Sequence, residues 1–368
     1  MDPRLNDQEK ELQERARRAA APLQAAAADV DAAGATPRAL LAALADAGLL
    51  GVQVAASHGG GGGGAVEAAL VCEQLGAASA GVAAVVAAHL MAVSLVAATA
   101  GEDEKDELLP ALATGDKLAA VVLDGSVSLL DEPAVTVRTG SDGLSGAAGW
   151  VAGARTADLL VVPAADDRSI AVLMVEAGSD GLELEPGGRK LGLNGANEAR
   201  VTLTGAGGRR LAARDAGPAL AAARDLARIA HAALCVGIGA AALQAAAHHA
   251  RSNEVLKGSQ SVQWMLADIA TETEAARLMT WYAASRRSAA ELREAAAMAR
   301  LLAADAAVGA ARRAVQVMGP AGNESGSGVE RLYRDAKAME VHHGAAEAQR
   351  VAVARALLPD LFEDAARR

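Results

Sequence analysis

The chain changes texture twice, and the order of those changes limits the folds open to it more than any single motif does. Residues 6–115 carry helical periodicity. Between residue 117 and about residue 204 short apolar or alternating runs take over, and from residue 213 helical periodicity returns and lasts to the end. In the first part, Leu40, Leu41, Leu44 and Leu49 fall on one stripe of a helix over 38–50. Residues 65–99 predict two more helices, the second apolar enough to be buried on several sides. In the middle part the runs 118–123, 134–137, 159–162, 170–175 and 199–203 are separated by Gly, Asp, Ser and Pro clusters, which predicts an antiparallel β domain of short strands. In the last part Leu266, Ile269, Thr273, Ala276 and Thr280 line one narrow face, as in a bundle helix. The expectation is an α+β protein with a helical domain at 1–115, a β domain at 116–212 and a helical bundle domain at 213–368.

A hydrophobic fraction of 52% is enough to bury a large core and excludes wholesale disorder. One Phe, two Tyr and three Trp leave that core to be built chiefly from small aliphatic side chains. A formal net charge of −10, with no stripe rich in Lys or Arg, argues against a nucleic-acid partner. The polar, helix-patterned start has the form of neither a signal peptide nor a transit sequence. Residues 52–66, read as the longest uncharged stretch, are broken by six consecutive glycines and are not expected to span a bilayer. A soluble, cytoplasmic protein without a membrane partner is therefore expected. The glycine run 59–64 lacks the preceding strand and following Lys or Ser/Thr of a phosphate cradle, so a flexible loop is expected there. Cys72 and Cys235 sit in apolar helical segments and read as buried thiols. His248 and His249, being adjacent, diverge on a helix, and no metal site is expected.

Three segments carry a resemblance to a known family. RKLGLNGANEARVTLTGA (189–206), VQWMLADIATETEAARLMTWYAA (262–284), and VERLYRDAK (329–337) followed by HHGAAEAQRVAVARALL (342–358) resemble three parts of the acyl-CoA dehydrogenase family of flavoproteins. These parts are the end of the β domain, a core bundle helix and the C-terminal signature. The resemblance covers nearly the whole chain in order. It implies that family's fold, with a C-terminal four-helix bundle, a dimer or tetramer, and FAD as cofactor. It also implies an oxidoreductase that desaturates an acyl thioester, a carboxylate base removing the α proton while a hydride leaves Cβ for the flavin.

Carried over residue by residue, the resemblance is uneven. The family's Tyr-Glu-Gly reads His342-His343-Gly344, which places His343 where the catalytic glutamate stands. Ala227 occupies the alternative glutamate position used by some members. His343 then either acts as the base, weakened by burial, or fills a vestigial site. Trp150, in Trp150-Val151-Ala152-Gly153, matches the tryptophan of a Trp-Ile-Thr-Asn segment that packs on the flavin, and reads equally as a core anchor. Asp124, Gly125 and Ser126 replace a flavin-facing Thr-Glu-Pro, which sets an uncompensated carboxylate beside the ring. Asn253 and Leu256 stand where an Arg and a Phe grip the pyrophosphate side, with Arg251 a shifted substitute. Gln316, Gly319 and Gly322 in QVMGPAG keep a second pyrophosphate contact. Arg228, with Asp225, matches a pair near the active-site mouth, and the two also read as a surface ion pair one turn before His231. Arg331, Arg334 and Asp335 read as structural ties between the last helices and across a dimer interface.

Three functional readings follow. In the first, this chain is the subunit lacking the catalytic Glu in a heteromeric enzyme, paired with an acyl-CoA dehydrogenase paralogue, its FAD shared with that partner or lost. In the second it is a homo-oligomeric enzyme with altered acid/base chemistry, through His343 or Asp124, on a non-standard or carrier-bound acyl substrate. The third is a scaffold role.

Overall fold

The computed structural model describes residues 5–125 and 134–358, so Ser126 lies outside the described residues. Five helices come first: α1 (Asp7–Ala33), α2 (Arg38–Asp46), α3 (Ala65–Ala78), α4 (Ala80–Thr99) and α5 (Glu102–Ala113). Asn6 and Glu9 start α1 with a reciprocal capping box, Oδ1 of Asn6 accepting from the Glu9 N–H at 2.9 Å and Oε2 of Glu9 accepting from the Asn6 N–H at 2.7 Å. Leu12, Ala16, Ala20, Leu23, Ala27 and Val30 form its buried face. The glycine run between α2 and α3 is tied down. Gly61, Gly62 and Gly63 donate their N–H groups to the carbonyls of Gly51, Val54 and Val52, which replaces the expected loose loop by a folded-back one.

The bundle consists of α6 (Gly217–Arg251), α7 (Glu254–Lys257), α8 (Gln260–Ala284), α9 (Ala289–Met318), α10 (Pro320–Asn323), α11 (Gly328–Met339) and α12 (Ala346–Leu357). Ala295, Ala299, Ala303, Ala306, Ala310 and Ala314 are buried along α9, so methyl groups rather than aromatic rings fill the seam. Where α3 crosses α6 even a methyl has no room. A Cβ on Gly76 would lie 2.5 Å from the Leu234 carbonyl oxygen, and one on Gly237 would lie 2.2 Å from that of Glu73. The uncharged stretch 74–101 runs longer than 52–66 and supplies α4. Both α4 and α6 are long and apolar enough to cross a membrane, yet 83% and 78% of their most apolar windows are buried inside the protein, which makes them core helices.

Between the helical parts lies a sheet of β1 (Ala119–Val121), β2 (Val137–Gly140), β3 (Gly143–Val151), β4 (Leu159–Asp166), β5 (Ser169–Glu176), β6 (Leu182–Pro186), β7 (Ala199–Ala206) and β8 (Arg209–Arg210). The order is β6-β7-β3-β2-β4-β5-β8, with β1 beside β4. The pairing is antiparallel except for β1–β4 and β2–β4, which are parallel.

Two polar stitches bind the helices to the sheet. His89 on α4 accepts from the Ala119 N–H at Nδ1 (3.1 Å), so its proton sits on Nε2 and goes to the Leu112 carbonyl (3.1 Å). Asn197 accepts from the Thr36 N–H (2.7 Å) and donates to the Thr36 carbonyl (3.0 Å), both groups buried. Asn197→Ala leaves that N–H and that carbonyl unpaired and is expected to cost about 1–3 kcal/mol of stability. Denaturant unfolding would show this, and an unchanged midpoint would contradict it.

Candidate active site

A mostly apolar cavity of about 480 Å³ opens where α4, β1, β3, the segment 190–198, α6 and the segment following α11 meet. Met91, Val121, Leu123 and Leu193 form apolar wall, Gly125, Ala152 and Gly192 bring backbone to its surface, and Trp150 stands at its edge with 52% of its surface exposed. Trp150 sits at an irregularity of the β3–β7 register between Ala148 and Val151, in a left-handed conformation with φ 59°. A bulge of this kind turns a side chain out of the sheet's alternation. Leu193 (φ 55°) and His343 (φ 53°) are held the same way. Three of the five described non-glycine residues with positive φ thus line one cavity, and stored backbone strain of this sort gathers at functional sites.

One wall is polar. Lys190 Nζ lies 2.5 Å from Glu198 Oε2, and Glu198 Oε1 lies 3.2 Å from His342 Nδ1. Burial pushes the Glu198 carboxyl up, but His342 and then Lys190 outweigh it and hold the group below its ordinary value, so Glu198 is ionised at neutral pH. His343 stacks on His231, ring centroids 4.9 Å apart and planes 15° from parallel. Burial, reinforced by His342 and the nearby arginines, pushes His343 down to about 3. His231 is also lowered, chiefly by burial, and its Nδ1 donates to the Ala227 carbonyl at 2.6 Å. The Nε2 atoms of His231, His342 and His343 are all buried, with no hydrogen-bond partner among the described residues.

Two buried arginines fix the segment that carries these histidines. Arg300 on α9 donates to the carbonyls of Met339 and His342, the latter at 3.0 Å. Arg228 donates from Nε to Gln349 Oε1 at 2.9 Å, and Gln349 donates in turn to the Gly344 carbonyl at 3.4 Å. Arg228 also pairs with Asp225, but both residues are buried, which replaces the expected surface ion pair by an internal one. Neither lines the cavity.

The expectation for Asp124 needs revision in the same way. Asp124 is not uncompensated, because its Oδ1 accepts from the Gly149 N–H at 2.9 Å, and it does not line the cavity, although Leu123 and Gly125 do. Arg334 bonds Asp31 of α1 and the Leu191 carbonyl, and Asp335 accepts from the Leu193 N–H, so these charges brace the cavity wall. Arg251 lines a separate groove with Thr273, Glu274 and Arg277. Gln316, Gly319 and Gly322 lie at the end of α9 and in α10, away from the cavity lining. Cys72 and Cys235 are free, buried thiols pushed up by burial to about 12 and about 11. Among the described residues no group of three or more His, Cys, Asp or Glu is arranged to hold a metal ion.

Residues 6–116 match the family description "Acyl-CoA dehydrogenase, N-terminal domain", and residues 219–358 match "Acyl-CoA dehydrogenase, C-terminal domain". The chain is 31% identical over 352 residues to the probable acyl-CoA dehydrogenase FadE25 of Mycobacterium tuberculosis, covering 90% of each. The chain belongs to the acyl-CoA dehydrogenase family. This family consists of FAD-dependent oxidoreductases, and the fold agrees. The structure of butyryl-CoA dehydrogenase from Megasphaera elsdenii superposes with a TM-score of 0.88 at 25% identity, over 97% of this chain and 100% of that one. A glutaryl-CoA dehydrogenase from Mycobacterium smegmatis in complex with FADH2 gives a TM-score of 0.86 at 20% identity, over 96% and 95%. The polar wall of the cavity is not legible in the sequence. Lys190 and Glu198 lie within RKLGLNGANEARVTLTGA, but no spacing rule connects a carboxylate in the β domain with a histidine after α11.

Proposed function

We propose that this chain is a soluble, cytoplasmic, FAD-dependent oxidoreductase that desaturates an acyl thioester as a homo-oligomer, with altered acid/base chemistry in its own cavity. The observation that supports this reading above the others is the Lys190–Glu198–His342 chain, with Glu198 and the His342 side chain buried and Lys190 partly so. Taking charges out of water costs several kcal/mol per ion unless they are paired, and well-packed apolar residues of similar volume are often at least as stable a filling. The cavity's residues fit the cofactor. A volume of about 480 Å³ is of ligand size, and Met91, Val121 and Leu123 offer an apolar bed beside Trp150. Trp150 would flank the flavin ring. Gln316, Gly319, Gly322 and Arg251 would meet the pyrophosphate of a flavin seated in a neighbouring subunit, so a dimer or tetramer is part of the proposal. When bound, FAD supplies the acceptor for the hydride that leaves Cβ.

The remaining work falls to the chain's own side chains. The apolar wall excludes water from the thioester, which strengthens electrostatic interactions within the cavity. The strained turns at Leu193 and His343 hold the polar wall against it. The test is purification of the chain alone. The expected result is a yellow protein that reduces an artificial electron acceptor when given an acyl-CoA. A colourless, inert preparation would count against the reading.

A second reading is favoured by one specific observation. His343, at the family's glutamate position, is pushed down to about 3, and Ala227 stands at the alternative position, so neither place offers a base able to keep an abstracted proton. On that reading this chain is the subunit without the catalytic Glu, and its partner is a Glu-bearing acyl-CoA dehydrogenase paralogue. Native mass spectrometry distinguishes the two, since the second predicts a mixed assembly whose activity disappears when this chain stands alone.

A further inference from the structure

The geometry points to His342, held by Glu198, as the group that accepts the α proton in this cavity, in place of a carboxylate and in place of His343. This assignment rests on the homo-oligomeric reading above and names the base that the reading requires. Three facts support it. First, Glu198 Oε1 sits 3.2 Å from His342 Nδ1, and an ionised carboxylate can only accept, so Nδ1 carries the proton and Nε2 keeps a bare lone pair. Second, that Nε2 is a buried acceptor with no hydrogen-bond partner among the described residues, on a residue that lines the cavity, so it is an unsatisfied acceptor beside the space a ligand would take. Third, the pair is fixed from both ends. Lys190 takes the other Glu198 oxygen at 2.5 Å, and Arg300 holds the His342 carbonyl at 3.0 Å.

His343 lacks such an arrangement. It stacks on the His231 ring, among the described residues it pairs with no carboxylate, and His342 and three arginines act on it as like charge. A proton placed there would meet like charge, whereas a proton on His342 is balanced across the ring by Glu198. The step is an enolisation. The Cα–H bond breaks, its electron pair passes into the thioester as an enolate, and the proton goes to His342 Nε2, leaving an imidazolium bonded to the Glu198 carboxylate. Glu198 and Lys190 act as positioning residues, and His342 is the catalytic one.

The test reads this half-reaction directly. Butyryl-CoA and octanoyl-CoA are incubated in D2O with the purified full-length chain, and deuterium at Cα is followed by mass spectrometry. His342→Gln is expected to slow exchange by roughly a hundredfold or more, the usual contribution of a general base, and by more than His343→Gln does. Glu198→Gln is expected to move the pH profile of exchange, which a merely structural role would not do. The groups facing His342 that bear on that profile are Glu198, Lys190, His231, His343 and Arg300. Added imidazole is expected to restore part of the exchange to His342→Gly. Circular dichroism of each variant separates loss of function from loss of fold. If His342→Gln folds and exchanges as fast as the wild type, the assignment falls while the proposed desaturation stands. If the wild type exchanges nothing until a Glu-bearing paralogue is added, the homo-oligomeric reading falls and takes the assignment with it.

Discussion

Gly237→Val is expected to destabilise the chain by at least about 3 kcal/mol, the upper end of what overpacking costs, because the new side chain meets backbone on a second helix. A Cβ at this position would come within 2.2 Å of the Glu73 carbonyl oxygen and 2.6 Å of the Ala77 nitrogen. Neither atom belongs to a flexible side chain that could swing aside, so α3 and α6 must separate. Separation also strains the pair between Glu73 and Arg277, 2.9 Å apart and joining α3 to α8. Burial drives the Glu73 carboxyl up and Arg277 opposes it, so any loosening leaves a buried acid less well compensated. The measurement is thermal melting followed by far-UV circular dichroism. A variant that melts together with the wild type would show that the crossing has slack that the structure lacks.

Asp335→Asn is the second large effect, and its sign depends on pH. Asp335 is buried on α11, and burial, with Asp31 adding, pushes its carboxyl up to about 6 from 3.8, against the Leu193 N–H and two arginines that lower it. The folded group therefore binds its proton more tightly than the unfolded group does. Stability from this residue is fully present below about pH 4. It is lost as the pH rises toward 6, by roughly 3 kcal/mol at about 1.4 kcal/mol per unit, and is flat above. Asparagine has no proton to lose, and its carbonyl oxygen can still accept from the Leu193 N–H, which Asp335 now holds at 2.7 Å. Relative to the wild type, Asp335→Asn is expected to gain roughly 2–3 kcal/mol at pH 8 and close to nothing at pH 4. Urea unfolding at both pH values checks this, and a difference independent of pH would refute the assignment of the shift to Asp335.

What the sequence disclosed and what it withheld divide along a physical line. Helical periodicity survives an alanine-rich composition, because Leu41 and Leu44 still mark the buried face of α2, and Ile269, Thr273 and Ala276 that of α8. Strand signals survive less well. β3 reads GLSGAAGWV, with Gly and Ala where β-branched residues would announce a strand, and it was invisible, whereas the Val-rich β4 and β5 were plain. The site was half legible. His343 and Trp150 could be placed by resemblance because they sit inside local motifs. Glu198 could not, because its meaning depends on a contact with His342 across the fold. The burial of Arg228 and Asp225 was equally hidden, since an i, i+3 pair looks the same in sequence whether solvent or Gln349 lies over it.

His89 has a consequence for how the molecule comes apart. Its ring joins the Leu112 carbonyl at the end of α5 to the Ala119 N–H that opens β1, and both bonds require the neutral ring with its proton on Nε2. Burial supplies that state by pushing the group down to about 4. The peptide between α5 and β1 is thus spanned from behind by α4, like a hinge pinned shut, and that ring, with the Asn197–Thr36 pair, resists separate movement of the first helices and the sheet. A protease cut between residues 113 and 119 should leave two fragments that migrate as one particle.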